Sequence, residues 1–179
     1  MVWVLVCIAL SACTSTEEPL TPREQLVQDA RDMLPDEELR AAIPDGFELD
    51  RVVVNDDEYH RKSWVTVGVR LKEGPVEYAR AIFYVLPSEE TAHAMYQRQS
   101  GFERIPGVEA PRPFEAELGI PNVCDGYEAG LLWCHATKGR VYLVTQSTAG
   151  WPPPARVTPQ ELLTGRMMLE AFGGYLASK

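Results

Sequence analysis

No stretch of this 179-residue sequence is apolar for long enough to cross a bilayer: a spanning helix needs roughly 20 such residues, and the unbroken run at residues 2–10 has nine. Catalytic signatures are missing too. GxSxG, HExxH, GxGxxG, a Walker-type glycine loop and EF-hand spacing do not occur, so no hydrolase, zinc-protease, nucleotide or calcium motif directs the reading. Basic residues are outnumbered, 17 Lys and Arg against 26 Asp and Glu, for a net charge of −9. A chain this acidic lacks the clustered cations that tracking a nucleic-acid backbone requires, and an anionic lipid surface repels it. There is no fixed-period repeat and no long low-complexity tract, and histidine is limited to three residues.

What is present begins at the front. The apolar run of residues 2–10 has the length of a signal-peptide core and ends in small residues, Ser11 and Ala12, as a cleavage site requires. Leu10-Ser11-Ala12-Cys13 resembles the lipobox of bacterial lipoproteins. That resemblance implies removal of residues 1–12, a diacylglycerol on the Cys13 sulfur, and anchoring at the extracytoplasmic face of a cell membrane. Two or three acyl chains hold stably where one holds marginally. Residues 13–20, polar and containing Pro19, read as the tether, and residues 21–179 as a single extracytoplasmic domain. No basic residue precedes Arg23, so the natural start is expected a little upstream. The other reading of residues 2–10 is a buried strand that happens to precede a cysteine.

Four cysteines then sort themselves. Cys7 leaves with the leader and Cys13 takes the lipid. Cys124 and Cys134 remain, an even pair in an exported chain, and are expected to form a disulfide. No CxxC or HxxxH spacing accompanies them and only His135 is adjacent, so neither a metal nor a cofactor is expected.

Local signals place the elements. Thr21-Pro22-Arg23-Glu24 and Thr158-Pro159-Gln160-Glu161 are capping boxes with proline at the first helical position, and Ser88 caps a third helix with Glu89 and Glu90 in its first turn. A short helix fits residues 36–42. Strands are expected over residues 47–55, 63–72 and 76–86, and a hairpin over 129–137 and 140–147 turned by Lys138-Gly139. Residues 101–126 fit no element. Grouped strands with helices set apart predict an α+β domain: a mostly antiparallel sheet of about five strands, helices packed on one side, one disulfide.

Several residues are candidates for chemistry. Asn55-Asp56-Asp57-Glu58-Tyr59-His60 offers carboxylates and a histidine, or is simply a solvated connection. His93 reads as a helix boundary residue, and His135 as the cross-strand neighbour of Tyr142. The most suggestive surface is the second face of the middle strands, where Trp64, Arg70, Tyr78, Arg80 and Tyr84 come together if those strands pair. Aromatics beside arginines suit an organic anion or a peptide, unless a helix covers them as core. Trp151-Pro152-Pro153-Pro154 reads as a rigid connector.

Trp133-Cys134, then Arg140-Val141-Tyr142-Leu143-Val144 and a terminal helix, is similar to the closing part of sensor-like extracytoplasmic domains of actinobacterial lipoproteins and receptor kinases. That likeness implies an α+β, disulfide-stapled, non-enzymatic domain. The expectation is therefore a membrane-anchored lipoprotein that binds a small ligand or an envelope protein, and no nucleic acid. A small envelope hydrolase is the alternative.

Overall fold

The computed structural model describes residues 19–55, 65–73, 77–99, 114–128, 131–148 and 159–179. Cys13 with the leader and tether, Asp56 to His60 of the acidic cluster, Trp64, residues 101–113, the Trp151 to Pro154 run and the Thr158 cap lie outside these.

Helix α1 (Pro22–Met33) starts where the capping box requires. The Glu24 amide donates to Thr21 Oγ1 at 3.2 Å while Thr21 N donates back to the Glu24 carboxylate at 2.8 Å. Leu26 and Ala30 carry its buried face. Pro35 ends it and opens the short α2 (Asp36–Ala41), which buries Leu39. Strands β1 (Glu48–Asn55), β2 (Val65–Glu73) and β3 (Glu77–Val85) follow, then α3 (Glu89–Gln99), β4 (Asn122–Glu128), β5 (Leu131–Lys138) and β6 (Val141–Thr148). The chain closes with α4 (Pro159–Met168), one π-helical turn (Leu169–Gly173) and α5 (Gly174–Ser178). Gly173 and Gly174 do not stop this helix: the wide turn takes in Gly173 and buries Leu169 and Phe172, and Gly174 opens α5.

All strands pair antiparallel in one six-stranded sheet, ordered β1-β2-β3-β6-β5-β4. The α+β class and the antiparallel sheet are as expected, and two features extend them. First, β4 lies in the stretch that matched no element. Its sequence, NVCDGYE, is poor in strand formers, and its pairing with β5, a disulfide and one buried side chain hold it. Cys124 is the direct cross-strand partner of Cys134 and is joined to it by the expected disulfide. Asn122, buried, accepts from the Ala116 amide at 2.7 Å and donates to the Ala116 and Ile120 carbonyls at 2.9 and 2.8 Å.

Second, the helices are not all on one side. The main core packs α1, α2 and the terminal helical segments against Val69, Ala81, Phe83, Cys134 and Leu143. Helix α3 packs on the opposite face, where Ala92 and Met95 meet Tyr142 and Val144. Every residue from Val141 to Ser147 is buried, so β6 is covered on both faces. A nearly continuous apolar run such as Val141-Tyr142-Leu143-Val144 is the signature of that arrangement.

The β5–β6 hairpin closes at the Lys138–Val141 pair, so its turn residues are Gly139 and Arg140, one position beyond Lys138-Gly139. Gly139 supplies the left-handed conformation, φ 52°, at that turn.

Candidate functional site

The two sheet faces differ in chemistry. The core face carries Val69, Ala79, Ala81, Phe83 and Val85. On the second face, register brings together residues far apart in sequence. Arg51, Arg70, Arg80, Gln146 and Trp133 are successive cross-strand partners, one row running from β1 through β2, β3 and β6 to β5. A parallel row contains Thr66, Tyr84, Tyr142 and Thr137.

This geometry brings together Arg70 and Arg80, which are directly opposed, with Tyr84 farther along β3. Tyr78 sits one row away from the arginines, opposite Lys72. Arg80 Nε donates to the Gln146 side-chain oxygen. Tyr84 stacks at a tilt on Tyr142, ring centres 5.5 Å apart. Burial pushes the Tyr84 hydroxyl above its ordinary pKa, and the nearby Arg80 charge partly opposes that.

His135 lies on the same face. Its direct partner is Val144, and it reaches Tyr142 diagonally, with Nδ1 and the Tyr142 hydroxyl 2.7 Å apart and the rings nearly parallel. It is 3% exposed, and burial pushes its pKa down to about 4. The imidazole is therefore neutral near pH 7 and shielded from solvent, a packing group rather than a surface base. His93 is exposed on α3, 2.9 Å from the Gln97 side chain.

Helix α3 crosses β5 and β6 without filling the space above them. A cleft of about 530 Å³ remains between helix and sheet, walled by Tyr84, Met95, Trp133, Tyr142 and Val144, with Arg98 on the helix. That volume is in the range of small-ligand sites, and the lining is mostly aromatic and aliphatic. Trp133 Nε1 is buried and makes no hydrogen bond. A second cavity, between α2 and the terminal helix, is lined by groups already engaged: Glu38 pairs with Lys179 and accepts from the Tyr175 hydroxyl at 3.2 Å.

Of this wall, the sequence suggested Tyr84 alone. Met95, Trp133, Tyr142 and Val144 were legible as apolar positions, and nothing local says that they meet. Arg51 was missed because its place in the row depends on strand register. Among the described residues, no group of three or more His, Cys, Asp or Glu side chains is placed to hold a metal, and no helix is long and apolar enough to cross a membrane.

No family model matches this chain, and no curated protein matches it. Among solved structures, the extracellular domain of PknH from Mycobacterium tuberculosis is similar at 10% identity with a TM-score of 0.42, over 86% of this chain and 96% of that domain.

Proposed function

We propose that this protein is a lipid-anchored extracytoplasmic binding domain, not an enzyme, and that it takes a small organic ligand in the cleft between α3 and the second sheet face. Residues 1–12 are the leader, Cys13 carries the lipid, residues 13–20 are the tether and residues 21–179 the domain. The observation that carries the binding reading is the cleft itself: about 530 Å³, aromatic-walled and edged by Arg98. The Cys124–Cys134 disulfide supports export, since such bonds persist in oxidising compartments and are rare in the cytosol. A hydrolase is disfavoured by His135 on this sheet face, which is buried and whose pKa, pushed down to about 4, leaves it a weak base.

Mass spectrometry of the membrane-extracted protein tests both parts. The intact mass should begin at Cys13 plus acyl chains, and Cys13→Ser should release the protein from the membrane fraction. Native spectra should retain a ligand that Ala94→Trp, a bulky substitution in the cleft wall, displaces. An unmodified, uncleaved chain would overturn the anchor. A cleft always empty, with Ala94→Trp indistinguishable from the natural protein, would overturn the binding role.

A further inference from the structure

The lining of the α3 cleft is graded from buried to exposed, and the grade narrows the ligand class. Leu86, Tyr142 and Val144 are buried and form its floor. Thr91, Ala94 and Arg98 are exposed and form its rim, at i, i+3 and i+7 on one flank of α3. Building on the cleft reading above, we infer that the ligand is an aromatic anion, its flat body on the floor and its anionic group at the rim beside Arg98.

The charge of the lining carries the sign. Asp and Glu outnumber Lys and Arg 26 to 17 in this chain, yet among the described residues Arg98 is the only charged side chain lining the cleft. No described carboxylate pairs with it. Its own helix supplies none: the positions one turn back are Ala94 and Met95, and Glu90, in the first turn, is roughly 12 Å away along the axis. A guanidinium presents a planar fork of donors that suits the oxygens of a carboxylate. A cation in the last turn also complements the dipole of α3, but that role is blind to the charge of a ligand. The aromatic side chains carry the shape. Tyr142 is fixed by His135, through ring and hydroxyl alike, and by the tilted contact with Tyr84. With Trp133 these rings suit a flat aromatic body. Aromatic rings attract cations too, but a cationic ligand would meet Arg98 with no described carboxylate in the lining to offset it.

Pyrenecarboxylate, pyrenemethanol and pyrenemethylammonium put an anion, a neutral group and a cation on one flat fluorescent body. Titrations use the full-length chain in peptidiscs, with the Ala94→Trp chain in identical discs as the partition background. Arg98 is exposed, so solvent screens the pair, and the carboxylate should bind roughly three- to tenfold more tightly than the alcohol, with the ammonium weakest. Arg98→Gln should bring the carboxylate to the level of the alcohol and leave the alcohol unchanged, with circular dichroism confirming the fold. Arg98→Lys should keep part of the carboxylate's advantage, and Arg98→Glu should favour the ammonium. Added salt should weaken the carboxylate and not the alcohol. Equal affinities for the three, a preference for the ammonium, or an order that Arg98→Gln leaves intact would overturn the anionic class while leaving the cleft standing. Loss of the alcohol in Arg98→Gln would overturn it as well, since Arg98 would then be packing the cleft and not reading charge. Binding of none of the three above the Ala94→Trp background would overturn the cleft with it.

Discussion

Gly165 and Gly174 stand in the same C-terminal helical run, and replacing each by alanine should move stability in opposite directions. Alanine is the better helix former by about 1 kcal/mol, so propensity alone favours both changes. At Gly174 a Cβ would meet nothing within 4 Å, and the φ of −61° is already helical. Gly174→Ala should therefore stabilise by about 0.5–1 kcal/mol. At Gly165 the same Cβ would overlap the Leu132 side chain, standing 3.2 Å from its Cγ and 3.5 Å from Cys134 Sγ. Leu132 is fully buried and Cys134 is fixed by the disulfide, so neither can withdraw into open space. Overpacking of this kind costs about 1–3 kcal/mol. Against the propensity gain, Gly165→Ala should lose about 1–2 kcal/mol at the upper part of that range.

Urea unfolding with the disulfide intact, followed by far-ultraviolet circular dichroism, reads this as midpoint shifts at constant slope. Leu132→Ala supplies the control. It removes the atoms in the way, so Gly165→Ala in that background should no longer destabilise, and the double-mutant cycle should give a large coupling. A Gly165→Ala chain as stable as the natural one, or a coupling near zero, would refute the close approach of α4 to β5.

Other perturbations follow from the same packing. An unfolded imidazole titrates near 6.5 and the folded His135 near 4, so the unfolded state binds more protons between those values. His135 should thus cost about 3 kcal/mol of stability as pH falls through that window, and His135→Gln should flatten the slope there; parallel slopes in the two proteins would refute the burial argument. Asn122→Ala removes the side-chain partner of the Ala116 amide and of the Ile120 carbonyl, while the Ala116 carbonyl keeps the Leu118 amide, and should cost about 2 kcal/mol by urea unfolding, with Asn122→Asp recovering only part. Opening the disulfide with Cys124→Ala and Cys134→Ala together releases a ten-residue separation and should cost about 2.5–3 kcal/mol, with β4 amides losing hydrogen-exchange protection first.

How much of the fold could be read in advance depends on how local each cause is. Thr21 with Glu24 signals a helix start within four residues, and α1 begins there. The disulfide followed from parity of cysteines. Strand β4 could not be read, because its seven residues have weak strand preference and owe their place to Cys134 and to the Asn122 bonds. The side taken by α3 was encoded, though not locally: Val141-Tyr142-Leu143-Val144 is apolar on both faces of a strand and needs a cover on each. Alternation counts faces; it does not say which helix supplies the cover.

The arginine row shows the same limit at the candidate site. Plain alternation through β1 would put Leu49, Arg51 and Val53 on one face, an arginine among core residues. The ladder with β2 instead slips by one residue between Leu49 and Arg51. Before the slip Leu49 faces Leu71; after it Arg51 faces Arg70 and Val52 faces Val69. Leu49, Val52 and Val54 all pack against the main core as a result. A single extra residue in an edge strand reverses the face of everything beyond it. Here that reversal satisfies the core and, by the same step, sets Arg51 beside Arg70 and Arg80. The cationic row is thus a by-product of apolar packing as much as a surface feature, which is why no local motif in the chain announces it.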